Sequence, residues 1–414
     1  MAGGGLREDL LEQLEKVRSL VKAHGSPHRE VYLDLENSGL VFEEALVALH
    51  EAYKIHGNPS ITHRPGWRAL EAILEAELGL MDLIGVDNGE VVFTHSGTEA
   101  NNLAVMGLAR ASCGRRKIIV SQIEHLSVKF PAERLQEHGF KLVEIPVDEE
   151  GFIDLDYLAG QVDDDTLMVS VAAVNHEIGV IQDLRAIAEI VKDKSPGAII
   201  HTDACDALGR IPLDLESAGV DIASFSGHKI FAPKGVGALY VKEGLKLEPI
   251  LHGQLSSQRL WPGAENIPAI AGFARALELF RKNFDEYRSR MRRLRDMLID
   301  GIFERVDDVV LNGPKGDMRA PDNVNMSFLY CEGEALTVEL SLRGVYVSSG
   351  SACTSRTLEP SHVLLAIKRP YEVAHGSILM KVSPMHDEDD IKYVLEQVPE
   401  AVKRLRAISP RVVM

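Results

Sequence analysis

The chain has 414 residues, 45% of them apolar and 26% charged, the composition of a globular protein whose core needs no disulfide or structural metal; collagen-like, rod-like and wholly disordered classes are excluded. Lysine and arginine number 45 against 62 acidic residues, a formal charge of −17, which argues against general nucleic-acid binding and against anionic membrane surfaces. The four cysteines, Cys113, Cys205, Cys331 and Cys353, are widely spaced without a Cys-x-x-Cys pair, which argues against a zinc ribbon or a disulfide framework and fits a reducing cytoplasm.

The charged start of the chain does not read as a signal peptide, and no apolar run approaches the about 18 residues of a membrane span. Leu6, Leu10, Leu14, Val17 and Val21 recur at three- and four-residue steps and predict a helix over 6–23, ended by Gly25-Ser26-Pro27. It reads as an N-terminal extension, residues 1–30, packed onto the body, or else as a solvated helix. From about residue 70 short apolar strands alternate with helices. The strands are Glu90–Thr94, Lys117–Ser121, Lys141–Ile145, Leu167–Ala173, Ala198–Thr202, Asp221–Phe225 and Gly237–Val241, with helices such as Gly97–Ala111, Val128–His138 and Leu184–Lys194 between them. This alternation predicts an α/β fold around a mostly parallel seven-stranded sheet covered on both faces. A helical stretch over 265–305 contains the charged run Asp285 to Arg290, where a second unit begins. Strands at Val309–Leu311, Asn323–Phe328 and Val345–Ser348, among helices at 333–343, 360–367 and 387–406, predict a smaller α+β domain. The expected division is a large domain over 46–285 and a small one built from 31–45 and 286–414.

Ligands of open α/β sheets bind at the carboxyl ends of the strands, and five segments there carry candidate chemistry. At Thr94-His95-Ser96-Gly97-Thr98-Glu99 a glycine turns a strand into a helix whose free amides suit a phosphate; Thr98 also reads as a plain helix cap. His125, just past a strand, suits stacking on a planar ligand or carrying a proton, and also reads as a loop histidine. Asp203 at a strand end suits a protonated ring nitrogen, and also reads as a helix cap. Lys229, in Ser226-Gly227-His228-Lys229, suits a Schiff base, with Ser226 and His228 beside it for a phosphate; Lys234 competes with it, and a solvated loop lysine is the plain alternative. The polar loop Ser348-Ser349-Gly350-Ser351-Ala352-Cys353-Thr354-Ser355 predicts an exposed, mobile thiol at Cys353.

In this order, together with Glu124-His125 and Asn175-His176-Glu177-Ile178-Gly179, these segments resemble the cysteine desulfurases, fold-type I pyridoxal-phosphate enzymes of the class V aminotransferase type. Val31-Tyr32-Leu33-Asp34 and Gly57-Asn58-Pro59-Ser60 are similar to that family's opening segments, and the resemblance spans residues 31–400. It implies that pyridoxal 5'-phosphate is held by Lys229 as a Schiff base. Asp203 would sit on its ring nitrogen and His125 stacked on the ring, with Gly97, Thr98, Ser226 and His228 at its phosphate. Cys353 would take the sulfur of L-cysteine as a persulfide, leaving alanine. The catalytic residues expected are Lys229, Cys353 and His125, with no metal. The implied partners are a second copy of the chain and a cytoplasmic acceptor protein serving iron–sulfur cluster assembly or tRNA thiolation, with no nucleic acid or membrane bound directly.

Four positions depart from the family pattern. His176 replaces Asn and Asp206 replaces Gln, two positions that normally contact the ring hydroxyl. Leu379 replaces the Arg that normally clamps the substrate carboxylate, leaving Arg259, Lys381 and Arg356 as candidate substitutes. Ala264 replaces a Thr that normally reaches the neighbouring subunit's phosphate. These departures keep two alternatives open: a lyase of the same family acting on selenocysteine, cysteine sulfinate or carrier-bound cysteine, and a cofactor-binding paralogue acting as a scaffold or sulfur relay without turnover. The lack of a Gly-x-Gly-x-x-Gly after a strand argues against a dehydrogenase.

Overall fold

The computed structural model describes residues 6–25, 27–112, 114–254, 257–349 and 360–408. Its strands are β1 (Val31–Tyr32), β2 (Glu90–Thr94), β3 (Lys117–Ser121), β4 (Lys141–Ile145), β5 (Thr166–Ser170), β6 (Ile199–Asp203), β7 (Ile222–Ser226), β8 (Gly237–Val241), β9 (Val309–Leu311), β10 (Asn323–Phe328), β11 (Val345–Tyr346), β12 (Ser348–Ser349) and β13 (Ser377–Lys381).

Strands β2 to β8 form one seven-stranded sheet in the order β2-β8-β7-β6-β5-β3-β4. Residues of β3, β5, β7 and β8 are buried throughout, as expected where helices cover both faces. Strand β8 alone runs against its neighbours β2 and β7. The short connection over 227–236 makes this possible, because antiparallel neighbours need no long crossover whereas parallel ones do. The carboxyl ends of β2, β3, β6 and β7 therefore open on the same edge of the sheet, where the candidate segments lie.

The helix Ile267–Arg305 spans 39 residues and is broken at Asn283, whose φ of −124° and ψ of 20° are not helical. The Asn283 side chain donates to the Leu279 carbonyl at 2.9 Å. Before the break Ile270, Phe273, Leu277 and Phe280 pack into the core of the large sheet; after it Met291, Leu294, Leu298 and Ile302 pack into a second core. That second core covers a four-stranded antiparallel sheet in the order β12-β13-β10-β9. The single strand expected over Val345–Ser348 is divided into β11 and β12, because β11 pairs in parallel with β1 while β12 pairs with β13.

Two contacts place the second sheet against the cavity edge of the first. The Lys381 amide donates to the Leu33 carbonyl at 2.9 Å, which brings the segment after β1 alongside β13. Arg210 donates through Nε to Asp322 Oδ2 at 3.0 Å, both side chains buried. The N-terminal expectation needs correction. The helix Leu6–His24 forms, but it is not packed onto the body: Leu10, Leu14, Val17 and Val21 are all exposed. Periodicity determines that a helix has an apolar face, not that the same chain supplies its cover. Among the described residues no helix is long and apolar enough to cross a membrane.

Candidate functional site

Strand β6 ends in Asp203, buried at the floor of a cavity. Its Oδ2 accepts from Asn101 Nδ2 at 2.7 Å and its Oδ1 accepts from the Cys205 amide at 3.0 Å. Asn101 sits one helical turn after Gly97, so both project to the same side of the helix Gly97–Ala111. Asn101 also donates to Ser127 Oγ at 2.8 Å, and its own Oδ1 has no partner among the described groups.

The cap of the helix Gly97–Ala111 is Ser96, whose Oγ accepts from the Glu99 amide at 3.2 Å; Thr98 is not the cap but lies in the first turn. That turn presses against β6 and β7. A Cβ at Gly97 would stand 2.7 Å from Cys205 Sγ and 3.1 Å from Ser226 Cβ, so only glycine fits. The open amides and the positive end of the helix dipole there favour an anion.

His125 caps the next helix, Leu126–Gln136: its Nδ1 accepts from the Ser127 amide at 3.1 Å, which leaves that nitrogen unprotonated. Its ring meets the edge of His176, centroids 5.0 Å apart. Burial, reinforced by His125, holds His176 down to about 3, so it is neutral. His228 follows β7, and burial with the adjacent Lys229 charge holds it down to about 4. The Gly39 amide reaches His228 Nδ1 at 3.4 Å, which leaves the His228 proton on Nε2.

Lys229 is buried in the turn Gly227–Ile230 and lines the cavity, whereas Lys234 is exposed. Lys229 Nζ pairs with Glu36 Oε1 and, at 3.1 Å, with Asp206 Oδ2. Lys381 from β13 reaches the other oxygens of the same carboxylates, Glu36 Oε2 and Asp206 Oδ1. Two carboxylates and two ammoniums thus close a buried ring of alternating charge. Burial by itself would raise Asp206, but Lys229 and Lys381 outweigh it and hold the carboxyl well below its usual range. Glu36 is likewise held ionised by both lysines against burial and against Asp206. Burial would lower Lys229, yet Asp206 and Glu36 raise it above an ordinary lysine.

The structure brings Gly97, Thr98, His125, His176, Asp203, Asp206, Ser226, His228 and Lys229 to one cavity. Of the cations expected to substitute for the family's arginine, Lys381 does not line the cavity but pairs from behind with Glu36 and Asp206, which do, whereas the Arg259 Nη2 donates to the Leu247 carbonyl at 3.2 Å. Arg356 and Cys353 lie outside the described residues. Sequence reasoning missed Glu36 and Asn101. Glu36 meets Lys229 across 193 positions and Asn101 meets Asp203 across 102, and neither has a local signature beyond Asn101 being one turn from Gly97.

Glu177, next to His176, receives the Ser361 hydroxyl on Oε2, and its Oε1 has no partner among the described groups. Burial pushes it up to about 8 against the Ser361 hydrogen bond, so the folded protein holds a proton there that the unfolded chain, titrating near about 4.3, has released. The contribution is present below the unfolded value and is lost as pH rises through the folded one. Glu177→Gln is therefore expected to flatten the decline of Tm between about pH 5 and about pH 8. An unchanged slope in that variant would refute a protonated Glu177.

Residues 31–394 match the family model for class V aminotransferases. The chain is 41% identical over 381 residues to cysteine desulfurase IscS 1 of Archaeoglobus fulgidus, covering 92% of this chain and 98% of that one. Among solved structures it is similar to a NifS-like protein, with a TM-score of 0.84 and 32% identity over 91% of this chain and 100% of that one. It is also similar to SspA solved in complex with cysteine, with a TM-score of 0.72 and 27% identity over 85% of this chain and 99% of that one.

Proposed function

The chain belongs to the class V aminotransferase family and within it to the cysteine desulfurases, and from that premise we propose that it binds pyridoxal 5'-phosphate at the carboxyl ends of β2, β6 and β7 and moves the sulfur of cysteine onto Cys353, leaving alanine. The substrate C–S bond breaks, an S–S bond forms on Cys353, and the thiol proton of one sulfur replaces sulfur on the departing carbon skeleton.

The residues present fit the cofactor. The Gly97 turn is a close-approach cradle without room for a Cβ, and the amides of the helix start, with Thr98, Ser226 and the His228 Nε2 proton, suit its phosphate. Asp203, fixed by Asn101 and the Cys205 amide, presents a carboxylate for a protonated ring nitrogen. When bound, the cofactor supplies an electron sink for the charge left on the substrate carbon. Lys229 is the amine that holds it and the group that carries protons at Nζ. His125, with Nδ1 engaged by its own helix, offers a flat ring as a packing surface. Glu36, Asp206 and Lys381 set the charge around Lys229.

The same reading includes a homodimer, a sulfur-acceptor protein serving iron–sulfur cluster assembly or tRNA thiolation, and a cytoplasmic location; the family resemblance supports the first two, and the unpaired Cys205 and Cys331 support the last. The observation that carries the proposal is Asp203 and Lys229 facing one cavity beside a helix start. The purified protein is expected to be yellow and to release alanine and sulfide in equal amounts from L-cysteine with a thiol reductant. A colourless protein that takes up no pyridoxal phosphate would refute it. A second reading, a cofactor-binding paralogue without turnover, is favoured by the ion pairs that hold Lys229; a yellow protein releasing no alanine from any cysteine derivative would establish it.

A further inference from the structure

The charges at the cavity bear on which form of cysteine it accepts, an inference that rests on the reading above. Asp203 is engaged by Asn101 and the Cys205 amide. Lys229 and Lys381 each touch both Glu36 and Asp206, so both ammoniums are already compensated. His176 and His228 are held neutral, and His125 Nδ1 accepts a backbone amide. Among the described residues, the cavity offers no uncompensated side-chain cation, and the helix-start amides are the site suited to the cofactor phosphate.

A free amino acid brings an ammonium and a carboxylate attached to one carbon. Its amine must come to the place of Lys229 Nζ, and the neighbours of that atom are two carboxylates. They attract the incoming ammonium and repel the carboxylate that travels with it, an effect that low-dielectric burial strengthens. Capping the carboxyl as an amide, ester or thioester removes the repulsion and leaves the attraction. We propose that the preferred substrate is cysteine with a free amino group and a capped carboxyl. Glu36 and Asp206 are the specificity-determining pair, and Lys381 is a positioning residue that keeps both ionised and aimed at the cavity.

The test compares L-cysteine, L-cysteinamide and the dipeptide cysteinyl-glycine on the holoenzyme. The two capped compounds should exceed L-cysteine in kcat/KM by at least ~10-fold, chiefly through KM; equal rates for both point to any capped cysteine, and a dipeptide advantage to an N-terminal cysteine in a peptide. Binding without sulfur chemistry gives an independent readout: L-alaninamide should perturb the visible spectrum at an at least ~10-fold lower concentration than L-alanine. Leu379 shares a strand face with Lys381, two residues away on β13. Leu379→Arg should raise kcat/KM for L-cysteine at least ~10-fold and leave L-cysteinamide little changed. Should that buried arginine prevent folding, Glu36→Gln, which removes one repelling charge, should narrow the preference instead. A low KM for L-cysteine with L-alanine binding as well as its amide would overturn the proposal while leaving the sulfur chemistry intact, because Lys381 would then turn to the substrate carboxylate. Absence of sulfide from all three compounds would overturn both.

Discussion

Lys229→Ala is expected to abolish alanine release, a loss of at least ~10³-fold, because it removes both the amine proposed to hold the cofactor and the proposed proton carrier at Nζ. It should also lower stability. Lys229 stands between the buried carboxylates of Glu36 and Asp206, and deleting it leaves both facing Lys381 alone. The cost should be less than the roughly 3–5 kcal/mol of a fully unpaired buried charge, since Lys381 still touches both. Lys229→Arg separates the two effects: it keeps a cation between the carboxylates and should recover much of the Tm, yet it has no amine able to form a Schiff base. Borohydride reduction of the wild type followed by peptide mapping should find the cofactor on Lys229. A label on exposed Lys234, or turnover retained in Lys229→Ala, would remove Lys229 from its role.

Cys353→Ser should reduce sulfide release by at least ~10³-fold while leaving the absorption spectrum unchanged, because a serine hydroxyl cannot accept a persulfide sulfur. The described thiols make poor rivals. Cys205 lines the cavity, but burial, with Asp203 adding to it, pushes its thiol well above the ordinary range. It therefore holds almost no thiolate at neutral pH, and thiolate is the nucleophile. Cys331 is buried against the Val402 carbonyl and is raised by burial as well. Cys113 lies outside the described residues. Alkylation of the native protein should mark Cys353 ahead of Cys205. Sulfide release surviving in Cys353→Ser and lost in Cys205→Ser would transfer the role to Cys205.

Which residues gather at the candidate site was largely legible because they follow strand ends. Gly97, His125, Asp203 and Lys229 each come just after or at the end of a buried strand, and parallel strands deliver their carboxyl ends to one edge. The apolar runs that marked those strands are local signals, so β2, β3, β4 and β8 match their expected residue ranges. Other bounds moved where a side chain decided them. The helix expected from Val128 begins at Leu126, because His125 supplies its cap. The break in the long helix falls at Asn283, just before the charged run that suggested a boundary, where a side-chain amide takes over a backbone carbonyl.

The sequence by itself determined the strand–helix alternation, the glycine-opened helix start, the acidic strand end and the lysine after β7, because each depends on neighbours a few positions away. The family resemblance adds the expectation that Leu379 stands where the carboxylate clamp would be. Only the tertiary structure decided which charges surround Lys229. Asp206 and Lys381 meet across 175 positions and Glu36 and Lys229 across 193, brought together when β1 pairs with β11 and β13 runs beside Leu33. The same is true of the exposed face of the helix Leu6–His24: its periodicity is local, but whether anything covers it depends on surfaces that other parts of the chain bring near. Charge compensation and burial are properties of groups close in space, and sequence spacing does not encode them when the partners come from different sheets.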